Sequence, residues 1–278
     1  MKCYDCPRMC GAERSEIKGF CGEGDKIRIS KVIENFKWEE PCISGEKGAL
    51  AIFFSGCNLR CEFCQNYKIS HVGGGQEYSA DEFRDFLKSF DLSKFSTIDF
   101  ITPSHFSSLL LEALQDFQSP IPLVWNSSGY ENVDTINKLS KVIDVFLPDL
   151  KYFSDELSGS LSKCKDYFAV VSKAIVAMKE NKKENIFKDG VMQQGLLIRH
   201  LVLPGFAKDS IKLLDFIQKT IENPFVSIMG QFTPTRGMIK RKLYPLEYKT
   251  VLAYAEKLKL EGYFQDLTSA DENFIPEF

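Results

Sequence analysis

Three thiols stand close together at Cys57-Asn58-Leu59-Arg60-Cys61-Glu62-Phe63-Cys64, a C-x3-C-x2-C spacing that follows the apolar run Ala49-Leu50-Ala51-Ile52-Phe53-Phe54. On one tight loop, three thiolates can ligate three irons of a 4Fe–4S cube and leave the fourth iron open, whereas electron-transfer clusters normally take four cysteines. A metal with an open position is a place for chemistry. The alternative is a zinc knuckle completed elsewhere, by His71 for instance, but zinc pairs are usually C-x2-C and here the first gap is three residues. A second group, Cys3-x2-Cys6-x3-Cys10-x10-Cys21, has enough thiols for a closed site of its own. Zinc there would hold the segment folded, whereas an iron–sulfur cluster would serve as an electron relay or substrate anchor. Cys42 lies between the two groups, a candidate spare ligand, hydrogen-atom donor or buried thiol. Cys164 reads as a small core residue.

Eight of the nine cysteines fall in the first 64 residues. The start Met1-Lys2-Cys3-Tyr4-Asp5 lacks the apolar stretch of a signal peptide, and no apolar run approaches the roughly 20 residues of a membrane helix. In a cytoplasmic, reducing setting, clustered thiols point to metal ligation before disulfides. Of the 278 residues, 44% are apolar and 26% charged, and 35 basic side chains nearly balance 38 acidic ones. That composition excludes a disordered chain. It also argues against a nucleic-acid module, which would carry a basic excess or a basic, aromatic-laced stripe.

The elements that must position these groups are legible in the apolar pattern. The first forty-odd residues are short on periodicity and rich in Cys, Gly, Lys and Glu, so the segment 1–46 is expected to need a metal to hold its shape. From about Lys47, short apolar runs alternate with helical stretches. Strands are expected at 49–54, 97–101, 122–125, 145–150, 196–203 and 225–231. Helices are expected near 79–90, after the capping box Ser79-Ala80-Asp81-Glu82, and at 106–117, 133–140, 163–180, 210–221 and 246–260, with a loop at 179–190. Six strands alternating with helices predict an α/β body with a parallel sheet over 47–240, open or curled. A helix and tail over 241–278 would pack on it. Chemistry in such sheets gathers at the carboxyl ends of strands. Those ends hold Cys57, Thr102-Pro103-Ser104-His105, Asn126-Ser127-Ser128-Gly129-Tyr130, Asp149-Leu150-Lys151 and Gln231. His200, inside a strand, reads as a satisfied core histidine.

The cysteine loop, with Phe63 just before its last thiol, resembles the signature of the radical S-adenosylmethionine (radical SAM) enzymes. The longer string from Phe54 to Asn66 is similar to the pyruvate formate-lyase activating-enzyme branch. Its uncharacterised activating-enzyme-like relatives share Cys6-Pro7-Arg8-Met9-Cys10-Gly11, Trp38-Glu39-Glu40-Pro41-Cys42-Ile43-Ser44-Gly45, Thr102-Pro103-Ser104-His105-Phe106 and Arg199-His200-Leu201-Val202-Leu203-Pro204. The resemblance implies a partial (β/α)6, TIM-like barrel with a 4Fe–4S cluster on Cys57, Cys61 and Cys64. S-adenosyl-L-methionine would chelate the fourth iron, and one electron would cleave it to a 5′-deoxyadenosyl radical that abstracts hydrogen from a substrate. Many members carry Gly-Gly-Glu after the second strand. This chain has Thr102 and His105 as candidates for that contact instead. Asn126 and Ser127 resemble the turn that approaches the cofactor, and Asp149, Lys151 and Gln231 are further candidate contacts. The branch implies a glycine in a partner protein as hydrogen source, with a peptide, lipid or small metabolite as the alternative. It also implies reduced flavodoxin or ferredoxin as electron donor. A reading from another class is an iron–sulfur electron carrier or redox sensor without SAM chemistry.

Overall fold

A computed structural model describes residues 2–234, 236–265 and 267. The stretch Ile27–Phe36, inside the segment expected to lack pattern, is a ten-residue strand, β1. Its alternation is interrupted by register shifts between Ile29 and Lys31 and between Ile33 and Phe36, which is why its period is hard to see in the sequence. After the single turn α1 (Pro41–Ser44) comes β2 (Ala49–Phe54), antiparallel to β1 and buried on both faces. Both β1 and α1 precede residue 46, yet β1 joins the main sheet and α1 packs on the core, so that boundary is one of composition. The short β3 (Gln76–Tyr78) pairs with the other edge of β1.

The chain then alternates as expected. Ser79 caps α2 (Ala80–Lys88), its hydroxyl accepting from the Glu82 amide at 3.2 Å while Glu82 accepts from the Ser79 amide at 2.7 Å. There follow β4 (Ile98–Ile101), α3 (Ser107–Leu114), β5 (Leu123–Ser127), α4 (Val133–Leu139) and β6 (Val145–Pro148). Next is α5 (Asp155–Ser162), a helix without a strong apolar stripe that the sequence pattern missed, and then α6 (Tyr167–Asn181). The expected loop at 179–190 contains β7 (Ile186–Lys188), which forms a hairpin with β8 (Val191–Leu196). All three residues of β7 are exposed, so no apolar alternation marks it. The strand expected over 196–203 is split: β8 ends at Leu196, the Leu197 amide bonds the Phe146 carbonyl at 3.0 Å, and β9 (Ile198–Leu201) continues. Last come α7 (Ala207–Thr220), β10 (Phe225–Met229), α8 (Pro245–Lys257) and β11 (Glu261–Phe264). The tail from 268 lies outside the described residues.

β2, β4, β5, β6 and β8 are parallel neighbours in order, and β9, β10 and β11 form a second parallel set. A bridge between Asp149 and Arg199 joins the end of β6 to β9. The six expected positions are therefore β2, β4, β5, β6, β8 with β9, and β10, a partial (β/α)6 barrel. Period-2 alternation sorts its side chains. Trp125, Phe146, Leu196 and Ile198 pack outward in the large core, while Val124, Val145, Leu147 and Leu197 form an inner cluster with Met192 and with Cys42 and Ile43 of α1. Among the described residues no helix is long and apolar enough to cross a membrane.

Candidate active site

The carboxyl ends of the strands open on one cleft of about 240 Å³. Cys57, Cys61 and Cys64 line it, with Thr102 after β4, Asn126 and Ser127 at the end of β5, Asp149 and Lys151 after β6, and Gln231 after β10. The structure thus brings together nine residues singled out from the sequence and adds Glu39 and Arg199.

The cysteine loop is braced from several sides. Arg60 donates to the Ser70 carbonyl at 3.0 Å and to the Phe20 carbonyl at 2.6 Å, and Asn58 donates to the Tyr130 carbonyl at 2.8 Å. Phe63 packs against Tyr152 and Phe232 with centroids 6.4 and 5.9 Å away. Burial, then repulsion from Cys61, pushes the Cys57 thiol up to about 12 and the Cys64 thiol up to about 11; burial also raises Cys61, against the pull of Lys151. A cation bound here must therefore displace protons. Each sulfur meets a protein group: the Leu59 amide at 3.3 Å from Cys57, the Ser162 hydroxyl at 2.9 Å from Cys61, and Ser70 Oγ at 3.2 Å from Cys64. Among the described residues no three Cys, His, Asp or Glu side chains are grouped closely enough to share one ion. The donor set nonetheless fits a cube, which three thiols of one loop would hold in a cleft lined also by polar strand ends.

A buried charge network forms one wall. Arg199 of β9 reaches Asp149 at 2.9 Å, Glu39 at 2.5 Å and the Asn126 amide oxygen at 2.5 Å. Lys151 holds the other Asp149 oxygen at 2.7 Å. The Asn126 amide nitrogen donates to Glu39 at 3.2 Å and to Asp99 at 3.1 Å. Two cations thus face the carboxyls of Glu39, Asp99 and Asp149, with Glu40 3.9 Å from Arg199, and the excess of acid shows as upward shifts at Glu39 and Asp99. Burial opposes ionisation of Asp149, but Arg199 and Lys151 outweigh it and hold that carboxyl below its usual range. Burial, then Glu39, pushes Asp99 well above it.

Burial also raises Glu39 to about 7, from an ordinary 4.5, against the attraction of Arg199. Folded Glu39 keeps a proton that the unfolded chain has lost, so its stabilising contribution is full below about 4.5 and is lost as the pH rises through about 7. Glu39→Gln should flatten the fall in melting temperature across that window. An unchanged slope in differential scanning calorimetry would mean that Arg199 keeps Glu39 ionised throughout.

Thr102 has φ of 64°, in the left-handed region that a β-branched residue adopts only at a cost, roughly 1–2 kcal/mol. Its amide is fixed on the Asn126 carbonyl at 2.8 Å. Such strain at a strand end facing a cleft accords with a functional position.

Besides Cys3, Cys6, Cys10 and Cys21, which line a separate small cavity, two candidate residues are not on the cleft. His105 is fully buried, and its Nε2 meets the Ser55 carbonyl at 2.6 Å, behind the cysteine loop. The one-turn helix after Pro103 turns its ring inward, against the expectation of a cofactor contact. Cys42 is also fully buried, in the inner cluster under α1, so the hydrogen-donor reading loses its geometry. His71 stacks on Tyr67 at 4.4 Å and is not among the cleft residues. His200 is a satisfied core histidine, between the Leu150 carbonyl at 2.7 Å and Ser210 Oγ at 2.8 Å. Cys164 packs in the main core.

No role is legible for Arg199, Glu39 or Asp99 from residue type and spacing alone. The available signal was a charged residue in the middle of an apolar strand, at 99 and at 199.

Comparison with known proteins adds to this geometry. The model of the Radical SAM superfamily matches residues 51–217. An uncharacterized protein of Methanocaldococcus jannaschii is 30% identical over 279 residues, covering 93% of this chain and 75% of its own. The pyruvate formate-lyase-activating enzyme of Clostridium pasteurianum is 28% identical over 232 residues, covering 78% of this chain and 90% of that enzyme. Among solved structures, a radical SAM methyltransferase from Sphaerobacter thermophilus shares the fold with a TM-score of 0.54 at 12% identity, over 77% of this chain and 66% of its own.

Proposed function

The chain belongs to the radical SAM superfamily, and on that premise we propose that it is a hydrogen-abstracting enzyme of the activating-enzyme type, with a 4Fe–4S cluster on Cys57, Cys61 and Cys64 and S-adenosyl-L-methionine beside it. When bound, this pair supplies an electron-driven cleavage to a 5′-deoxyadenosyl radical; the residues around it supply orientation and exclusion of water. The observation that carries the reading is the placement of the three-thiol loop on the same cleft as the polar ends of β4, β5, β6 and β10.

The residue roles follow from their partners. Lys151 is oriented by Asp149 at 2.7 Å and keeps donors for a carboxylate in the cleft. Asn126 has its amide committed to Glu39, Asp99 and Arg199, which makes it a positioning residue for that wall. Thr102, Ser127 and Gln231 line the remaining cleft and are the candidates for contact with the cofactor. The kinship with a pyruvate formate-lyase-activating enzyme over 78% of the chain favours a glycine in a partner protein as the hydrogen source. A reduced flavodoxin or ferredoxin would deliver the electron.

Electron paramagnetic resonance of the anaerobically reduced protein tests this reading. Adding SAM should change the cluster signal, because an open iron gains new ligands. A spectrum indifferent to SAM would favour the electron-carrier alternative.

A further inference from the structure

The N-terminal thiols stand outside the cleft, on the far side of the cysteine loop, and the reaction leaves them without a role. Cys3, Cys6, Cys10 and Cys21 line one small cavity with Arg14. The segment before β1 cannot hold itself by apolar packing. Its buried apolar residues are Cys6, Ala12 and Cys21, while Tyr4, Met9, Ile17 and Phe20 are exposed. Even so its backbone is sharply folded. The Met9 amide closes a turn on the Cys6 carbonyl at 3.0 Å, the Gly22 amide closes another on the Gly19 carbonyl at 2.9 Å, and Met9 has φ of 44°. Two left-handed or tight turns, each beside a cysteine, are costly for a segment without a core.

One pattern recurs at all four thiols. Backbone amides lie near each sulfur: those of Asp5 for Cys3, Arg8 for Cys6, Phe20 and then Ala12 for Cys10, and Glu23 for Cys21. The same relation holds between the Leu59 amide and Cys57 in the loop that belongs to the cluster signature, at 3.3 Å. Amides aimed at sulfur stabilise thiolates, the form that binds metal. Arg14 lies buried among them, 3.3 Å from Cys21 Sγ, and supplies a positive charge against the thiolates. A Cβ at Gly19 would stand 3.3 Å from Cys21 Sγ and 3.5 Å from Cys10 Sγ, so the backbone passes between two of the sulfurs.

We propose that Cys3, Cys6, Cys10 and Cys21 form a second, fully thiolate-ligated metal centre that braces the cysteine loop of the cleft. Each thiol gives up its proton on binding, and the sulfurs, which do not stand close enough together to share an ion as they are, must draw inward to close the site. The bracing contacts are direct. The Cys57 amide donates to the Cys21 carbonyl at 3.3 Å, Arg60 donates to the Phe20 carbonyl at 2.6 Å, and Arg8 donates to the Asn58 carbonyl at 2.7 Å. Gly56, with φ of 76°, is kept small by the same approach, since a Cβ there would lie 2.6 Å from the Cys21 carbonyl oxygen. The occupant is a thiophilic centre, a single zinc ion or an iron–sulfur cluster.

Zinc, iron and acid-labile sulfide are measured per chain in the Cys57→Ala/Cys61→Ala/Cys64→Ala variant, purified without oxygen. The expected result is about one zinc, or about four irons with matching sulfide, retained on the remaining thiols. The two outcomes identify the occupant and both support the centre. Cys10→Ser, at an exposed side chain that disturbs no core, should then lose that metal to a chelator at least about ten times faster. A folded triple variant holding neither metal, or a Cys10→Ser chain that keeps its metal as firmly as the wild type, overturns the proposal. Because the triple variant lacks the cleft's own ligands, this outcome is independent of whether the cleft cleaves SAM.

Discussion

Arg199→Leu is expected to destabilise the protein by about 3–5 kcal/mol, the cost of leaving buried charges without their partner. In a chain of this size the melting temperature should fall on the order of 10 °C. The Arg199 side chain links β9 to Asp149 just after β6, to Asn126 on β5 and to Glu39 ahead of α1. Without it, among the described residues the Asp149 carboxylate keeps Lys151 alone, and that of Glu39 keeps an amide of Asn126. Leucine fills part of the volume and offers no hydrogen bond. Arg199→Lys should recover only a fraction, because one ammonium cannot reproduce a planar fork that serves three partners. Adding Asp149→Asn to Arg199→Leu should restore part of the loss by removing one stranded charge. A melting temperature within about 2 °C of the wild type would show instead that the carboxyls absorb the change by taking up protons.

The second large effect belongs to the cysteine loop. Cys57→Ala/Cys61→Ala/Cys64→Ala should reduce SAM cleavage by at least about 10³-fold, more than about 4 kcal/mol of barrier. The fold should persist, because the loop keeps Arg60 on Ser70 and Asn58 on Tyr130, neither of which involves a sulfur. Far-ultraviolet circular dichroism should therefore match the wild type while cleavage is lost. Cleavage surviving in the triple variant would remove the cluster from its proposed ligands.

Much of this arrangement is legible in the sequence, for physical reasons. β2 is buried on both faces and so appears as an unbroken apolar run, and the Ser79–Glu82 box marks its helix by a local hydrogen-bond pattern. The cleft residues were found because polar groups directly after apolar strands are unusual. What escaped depends on direction and on distant partners. β1 loses its period at two irregular registers, and β7 is an exposed edge with no burial to pattern it. Residues 199 and 200 are adjacent, but strand alternation sends Arg199 into the cleft wall and His200 outward to Ser210 on α7. Cys42 and His105 were identifiable by type, yet which face each presents is decided by packing that spacing alone does not encode.

The most direct measurement is 5′-deoxyadenosine formation by the anaerobically reconstituted, dithionite-reduced protein supplied with SAM. The proposed chemistry predicts 5′-deoxyadenosine and methionine from the wild type in equal amounts, and neither from Cys57→Ala/Cys61→Ala/Cys64→Ala. A wild-type protein shown to hold its 4Fe–4S cluster, yet forming no 5′-deoxyadenosine with SAM in excess, would contradict it.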